Sequence, residues 1–278
     1  MTTQGEDIAN IDEEQKSMLD ACSSGDVGLL GQLFVKHGIR QGSKSVSVKS
    51  ATASSFGTAP EEIAQPTLLP THELLERAVV ARQVDIVQFI LSTYPSLSLN
   101  GVHEAFVRAV LKNPDAEVLR LLCNRDRTFA NFSMDCGLRT FLTDACALPP
   151  PQAVPILHVL LDNGANVHDG WGPGGGALYA AIIGQQPREI VEKILSKMDN
   201  VSSRAIVPAI RQGDVDIVGA LLEHDHCRSS FDVKECIKEA KKRGDKSIMQ
   251  LVELWARSRP ETEKKPSKKW WTFGLSRW

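Results

Sequence analysis

One piece of punctuation occurs three times in this chain: Ala21-Cys22-Ser23-Ser24-Gly25-Asp26, Ala209-Ile210-Arg211-Gln212-Gly213-Asp214 and Ala240-Lys241-Lys242-Arg243-Gly244-Asp245. In each, an apolar residue stands four past the Gly (Leu29, Ile217, Ile248) and another four later (Leu33, Leu221, Val252). The pattern predicts a helix, a tight turn and a second helix. Gly supplies the left-handed residue that ends the first helix. Asp caps the free amides of the second. The apolar pair marks the second helix's buried stripe.

With that register set, four weaker copies appear, anchored at Ala78, Ala109, Ala145 and Ala181. Three before each of the seven anchors stands an apolar residue: Met18, Leu75, Phe106, Leu142, Leu178, Ile206 and Ile237. With one extra turn residue near Asn113-Pro114 and near Gln185-Pro187, and three at Pro149-Pro150-Pro151, the late second-helix position is apolar in all seven, at Leu33, Ile90, Leu122, Leu160, Ile194, Leu221 and Val252. The last five anchor spacings run from 28 to 36 residues. One helix pair cannot bury its own apolar face, so such units are expected to stack, with polar caps at both ends. The first anchor spacing is 57 residues. Its excess falls where residues 41–60 hold eight Ser or Thr, and residues 40–66 are expected to form a flexible insertion.

The segment Leu160-Leu161-Asp162-Asn163-Gly164-Ala165-Asn166-Val167 is similar to the ankyrin helix end and turn Leu-Leu-x-x-Gly-Ala-x-Val. It runs on, after a Gly-rich loop, into Ala177-Leu178-Tyr179-Ala180-Ala181, where the ankyrin family has Thr-Pro-Leu-His-x-Ala; Thr140 alone holds the family's Thr position. The chain thus resembles a degenerate ankyrin array over roughly residues 12–257, with a different helical-pair repeat as the structural alternative. The resemblance implies a mostly all-α, ankyrin-like helix-pair solenoid with short or missing β-hairpins. An acidic segment, 1–11, precedes the repeats and a basic, Trp-rich tail, 258–278, follows them.

Composition narrows the class. Hydrophobic residues make up 42% and charged residues 24%, which argues for a folded chain, and the net charge of −2 argues against direct nucleic-acid binding. No apolar run approaches the ~18 residues of a membrane span, and the acidic N-terminus has no secretory pattern. The six cysteines form no Cys-x-x-Cys pair and read as reduced thiols. The expected location is therefore cytoplasmic, nuclear or both, neither secreted nor transmembrane.

The chemical motifs are thin. Gly170-Trp171-Gly172-Pro173-Gly174-Gly175-Gly176 precedes a helix but lacks the Lys-Ser/Thr of a phosphate-binding loop. His224-Asp225-His226-Cys227, with Cys236, fits no common zinc spacing. No hydrolase motif appears. The expectation is no catalysis, no cofactor and no metal. Residues 257–278 carry a net +5 and include Lys264, Lys265, Lys268, Lys269, Trp270, Trp271 and Trp278. That composition suits a partner motif, a membrane surface or an import receptor, or else a tail whose Trp cluster covers the last repeat.

The function expected is non-catalytic protein binding by a scaffold. The resemblance implies a concave face built from first helices. Its exposed positions fall on Arg77, Arg108, Asp144, Arg211 and Gln212, with loop-tip Trp171 as an anchor. Tyr179 stands where the family has its structural His and is assigned to packing. The alternatives are a nuclear co-regulator or enzyme inhibitor, a peripheral membrane adaptor using the tail, and an enzyme with an unrecognised site.

Overall fold

The computed structural model describes residues 3–46, 69–99, 103–134, 137–170, 176–199, 201, 205–224 and 231–258, with side chains from residue 13 onward. Mostly all-α, it has fourteen α-helices and one two-stranded sheet among the described residues. The chain divides into two compact units, residues 1–132 and 133–278.

The first unit holds three helix pairs: α1 (Thr3–Ser24) with α2 (Val27–Lys36), α3 (Thr71–Val80) with α4 (Val84–Thr93), and α5 (His103–Lys112) with α6 (Ala116–Arg125), closed by a 3-10 turn at Arg127–Asn131. First helices pack on first helices, α1 on α3 and α3 on α5. Second helices follow suit, α2 on α4 and α4 on α6. In the second unit a hairpin of β1 (Ser133–Met134) and β2 (Arg139–Thr140) leads into α7 (Phe141–Ala145). Then come α8 (Pro150–Asp162), α9 (Gly176–Ile183), α10 (Arg188–Leu195), α11 (Ile206–Gln212), α12 (Val215–Glu223), α13 (Val233–Arg243) and α14 (Lys246–Ser258). Here too the first helices α7, α9, α11 and α13 pack in succession, and so do the second helices α8, α10, α12 and α14.

The repeat register shows directly in burial. All seven anchor alanines are at most 5% exposed. Ala is small enough to let the next first helix approach closely, so a larger residue there would push the stack apart. The predicted turn forms at Gly25, Gly213 and Gly244, each with φ near +80°. Asp26, Asp214 and Asp245 cap the following helices by accepting from Leu29, Ile217 and Ile248 backbone amides at 2.8, 3.0 and 3.2 Å. One expectation fails. Leu29 is 38% exposed, and α2 buries Leu30 and Phe34 instead.

A tie joins each pair to its predecessor within a unit. Gln83 Nε2 donates to the Ser23 carbonyl at 3.0 Å, and Asn113 Nδ2 to Val80 at 2.9 Å. In the second unit Gln186 Nε2 donates to Cys146 and Leu148 at 2.8 and 2.9 Å. Gln212 Nε2 reaches Ile183 at 3.4 Å, and Arg243 Nη1 reaches Arg211 at 2.6 Å. Four of the acceptors, Ser23, Val80, Ile183 and Arg211, lie two residues past an anchor alanine. They belong to the last turn of a first helix, whose carbonyls have no helical partner. A turn side chain from the next pair satisfies them.

Candidate functional site

The nominated residues follow from the first-helix geometry. A residue just before a buried anchor lies about 100° around the helix and faces outward. Arg77 on α3 and Arg108 on α5 both hold this position and are both exposed. Arg108 donates to Glu104 one turn earlier, Nε to Oε1 at 3.0 Å, an exposed pair of the kind that contributes only a few tenths of a kcal/mol. Arg77 makes no ion pair among the described residues.

In the second unit the nominated residues fare differently. Asp144 is largely occupied: Arg139 grips it with two bonds, Nε–Oδ1 at 3.0 Å and Nη2–Oδ2 at 2.6 Å, which ties β2 to α7. Arg211 remains largely exposed, though its Nε donates to Glu239 Oε2 at 2.8 Å. That hydrogen bond holds the Glu239 carboxyl below its ordinary value and raises Arg211. Gln212 contributes its amide to the tie with Ile183.

Beside Arg211 lie two residues that the sequence reading did not nominate as contacts. Tyr179, assigned to packing, is 36% exposed, and Ile183 is 50% exposed. Both sit on α9, which packs directly on α11, and the Arg211 guanidinium lies within electrostatic range of Tyr179. A hollow of about 370 Å³ opens at the turn residues Gln185, Gln212, Asp214 and Asp216. An aromatic ring, a branched aliphatic side chain and an arginine in one exposed patch is the composition of protein-binding hot spots. The sequence signal was the apolar Ile183 two past its anchor, where the other copies carry polar residues as often as apolar ones.

Burial pushes the Cys22, Cys123 and Cys146 thiols up to about 12, which leaves them protonated and poor nucleophiles. No group of three His, Cys, Asp or Glu among the described residues is arranged to hold a metal ion. Asp225, His226 and Cys227 lie outside the described residues, as do Trp171 and the tail residues Lys264, Lys265, Lys268, Lys269, Trp270, Trp271 and Trp278. Most of the Ser/Thr-rich insertion, 47–66, lies outside them too.

A second copy of the Gly-turn was missed. Ile39 N donates to Phe34 O at 2.8 Å around Gly38, as Ala165 N donates to Leu160 O at 3.0 Å around Gly164. Both glycines are left-handed, with φ of 70° and 80°. Ile39 and Ala165 are both buried. The spacing Phe34-x-x-x-Gly38-Ile39 was the available signal.

No protein-family model matches the chain, and no curated protein matches it in sequence. No helix among the described residues is long and apolar enough to cross a membrane.

Proposed function

We propose that this chain is a degenerate ankyrin-like array that works as a non-catalytic protein-binding module. The observation that carries the reading is the exposed patch of Tyr179, Ile183 and Arg211 on packed first helices. Arg77 and Arg108 extend the same logic in the first unit, where one repeat position presents a cation on successive first helices. Recognition comes from side chains that project off a stack already rigid before binding. Little conformational freedom is then lost on association, which favours affinity from a small contact area. The cations recruit an acidic partner surface, and Tyr179 and Ile183 supply its apolar anchor points.

The experiment is affinity recovery from extracts of the source cell with two altered chains. One carries Arg77→Glu, Arg108→Glu and Arg211→Glu; the other carries Tyr179→Ala and Ile183→Ser. Each should lose a protein that the unaltered chain recovers, while far-ultraviolet circular dichroism stays unchanged. Identical recovery by all three folded chains would remove both faces from consideration.

A further inference from the structure

A groove of about 480 Å³ in the second unit lies between α12 and α14. Gly219 and Leu222 form one wall; Leu251, Leu254, Trp255 and Ser258 form the other. Leu254 is 63% exposed although its neighbour Trp255 is buried.

The first unit shows what fills this place elsewhere in the chain. Gly31 stands ten residues past Ala21, as Gly219 stands ten past Ala209. At Gly31 the gap is covered by the next second helix: a Cβ there would lie 3.8 Å from the Phe89 ring. Phe89 is eleven residues past Ala78, and its counterpart eleven past Ala240 is Leu251. Around Gly219 an added Cβ would meet no atom of the described residues within 4 Å. The groove is therefore the space left where Leu replaces an aromatic ring opposite a glycine.

We propose that a tryptophan of the chain's own C-terminal segment, Trp270 or Trp271, seats in this groove. Ser258, in the groove wall, is where the described chain ends, and Trp270 follows twelve residues later. That length spans up to ~40 Å, so the ring reaches the groove without strain. A tether this short holds the ring at an effective concentration of about millimolar. The remaining segment is rich in lysine, and Glu223 lies at the groove's edge. The occupant thus completes the stack by supplying the aromatic side chain that the last pair lacks.

Trypsin digestion of the full chain tests this, reading cleavage after Lys264, Lys265, Lys268 and Lys269 by mass spectrometry. Gly219→Phe fills the groove from within, Leu254→Asp makes its wall polar, and Trp270→Ala with Trp271→Ala removes the occupant. Each should speed tail cleavage at least tenfold over the unaltered chain. Gly219→Ala, which leaves the groove open, should not. The Trp double variant alters no residue of the groove, so it reads the contact even if a groove variant fails to fold. Equal cleavage of the unaltered and Trp-double chains overturns the proposal. Protection that rises with protein concentration overturns it in favour of a second copy. Protection that appears only with anionic phospholipid vesicles overturns it in favour of a membrane.

Discussion

Arg82 and Gln185 adopt the same left-handed backbone, with φ of 55° and 54°, each four residues past an anchor alanine. Gly25, Gly213 and Gly244 hold that position in three other copies. The turn geometry is thus set by the stack and imposed on residues that resist it. Its backbone amide bonds recur: Asp26, Gln83, Gln186 and Asp214 donate to the carbonyls of Ala21, Ala78, Ala181 and Ala209 at 2.9–3.3 Å.

An L-residue in this conformation costs about 1 kcal/mol, and a glycine there gives back part of the gain through its freer unfolded chain. Arg82→Gly and Gln185→Gly should each raise stability by about 0.5 kcal/mol, read as an upward shift in the urea midpoint. The reverse change, Gly213→Ala, should destabilise by about 1 kcal/mol or more, because its Cβ would also run into the Arg243 guanidinium. An unmoved midpoint for all three would mean that the turns carry no strain.

Gln186 is 1% exposed, and its amide reaches the Cys146, Leu148 and Gly184 carbonyls at 2.8, 2.9 and 3.3 Å. Gln186→Leu keeps the approximate shape and removes the donor. Leaving buried carbonyls unpaired should cost about 2–3 kcal/mol. The matching change at the longer, more exposed Gln212 tie should cost well under 1 kcal/mol. Denaturant unfolding of both variants measures the contrast.

Asp126 joins the start of the 3-10 turn to His103, Oδ2 to Nε2 at 2.8 Å, while the His103 ring lies edge-on to Phe129 and Phe132. Burial alone would raise the Asp126 carboxyl, but hydrogen bonds from Thr128 and His103 outweigh it and hold the group below 3.8. A carboxyl depressed in the folded state stabilises above its unfolded value, and that contribution is lost as pH falls through the lower folded value. The unaltered chain should therefore lose stability below about pH 4 more steeply than Asp126→Asn does. Parallel urea midpoints from pH 6 to pH 3 would refute this.

The Cys22, Cys123 and Cys146 thiols should resist alkylation. With values near 12, their thiolate fraction at pH 8 is of order 10⁻⁴. Iodoacetamide at pH 8 should leave these three unmodified in native protein and modify all three in urea, as peptide masses will show. Fast native labelling of Cys146 would reveal opening between α7 and α9.

The sequence carried the repeat well because burying seven small residues at one position leaves a periodic trace. It carried the Asp caps too, since a carboxylate before an amphipathic run has one common use. Arg82 and Gln185 left no trace: a left-handed turn imposed by packing has no compositional signature once glycine is absent. The ties formed by Gln83, Asn113 and Gln186 were likewise invisible, because polar residues at turns look like solvent-facing ones until the neighbouring helix end is in place. The first-helix cations at Arg77 and Arg108 were legible as outward positions. The exposure of Tyr179 was not, because it depends on how closely α9 approaches α11 and not on local pattern.

The ties between pairs also show where this chain takes up changes of length. Each tying side chain lies three to five residues past its own buried alanine, while in four of the five ties the carbonyl it meets lies two past the alanine before. The acceptor keeps its place and the donor does not, so a turn absorbs a residue or two and still closes the tie. The connectors leading from one pair to the next vary far more, as anchor spacings from 28 to 57 residues show. Most growth and loss of sequence falls in those connectors, which makes them the places to insert a tag or graft a loop.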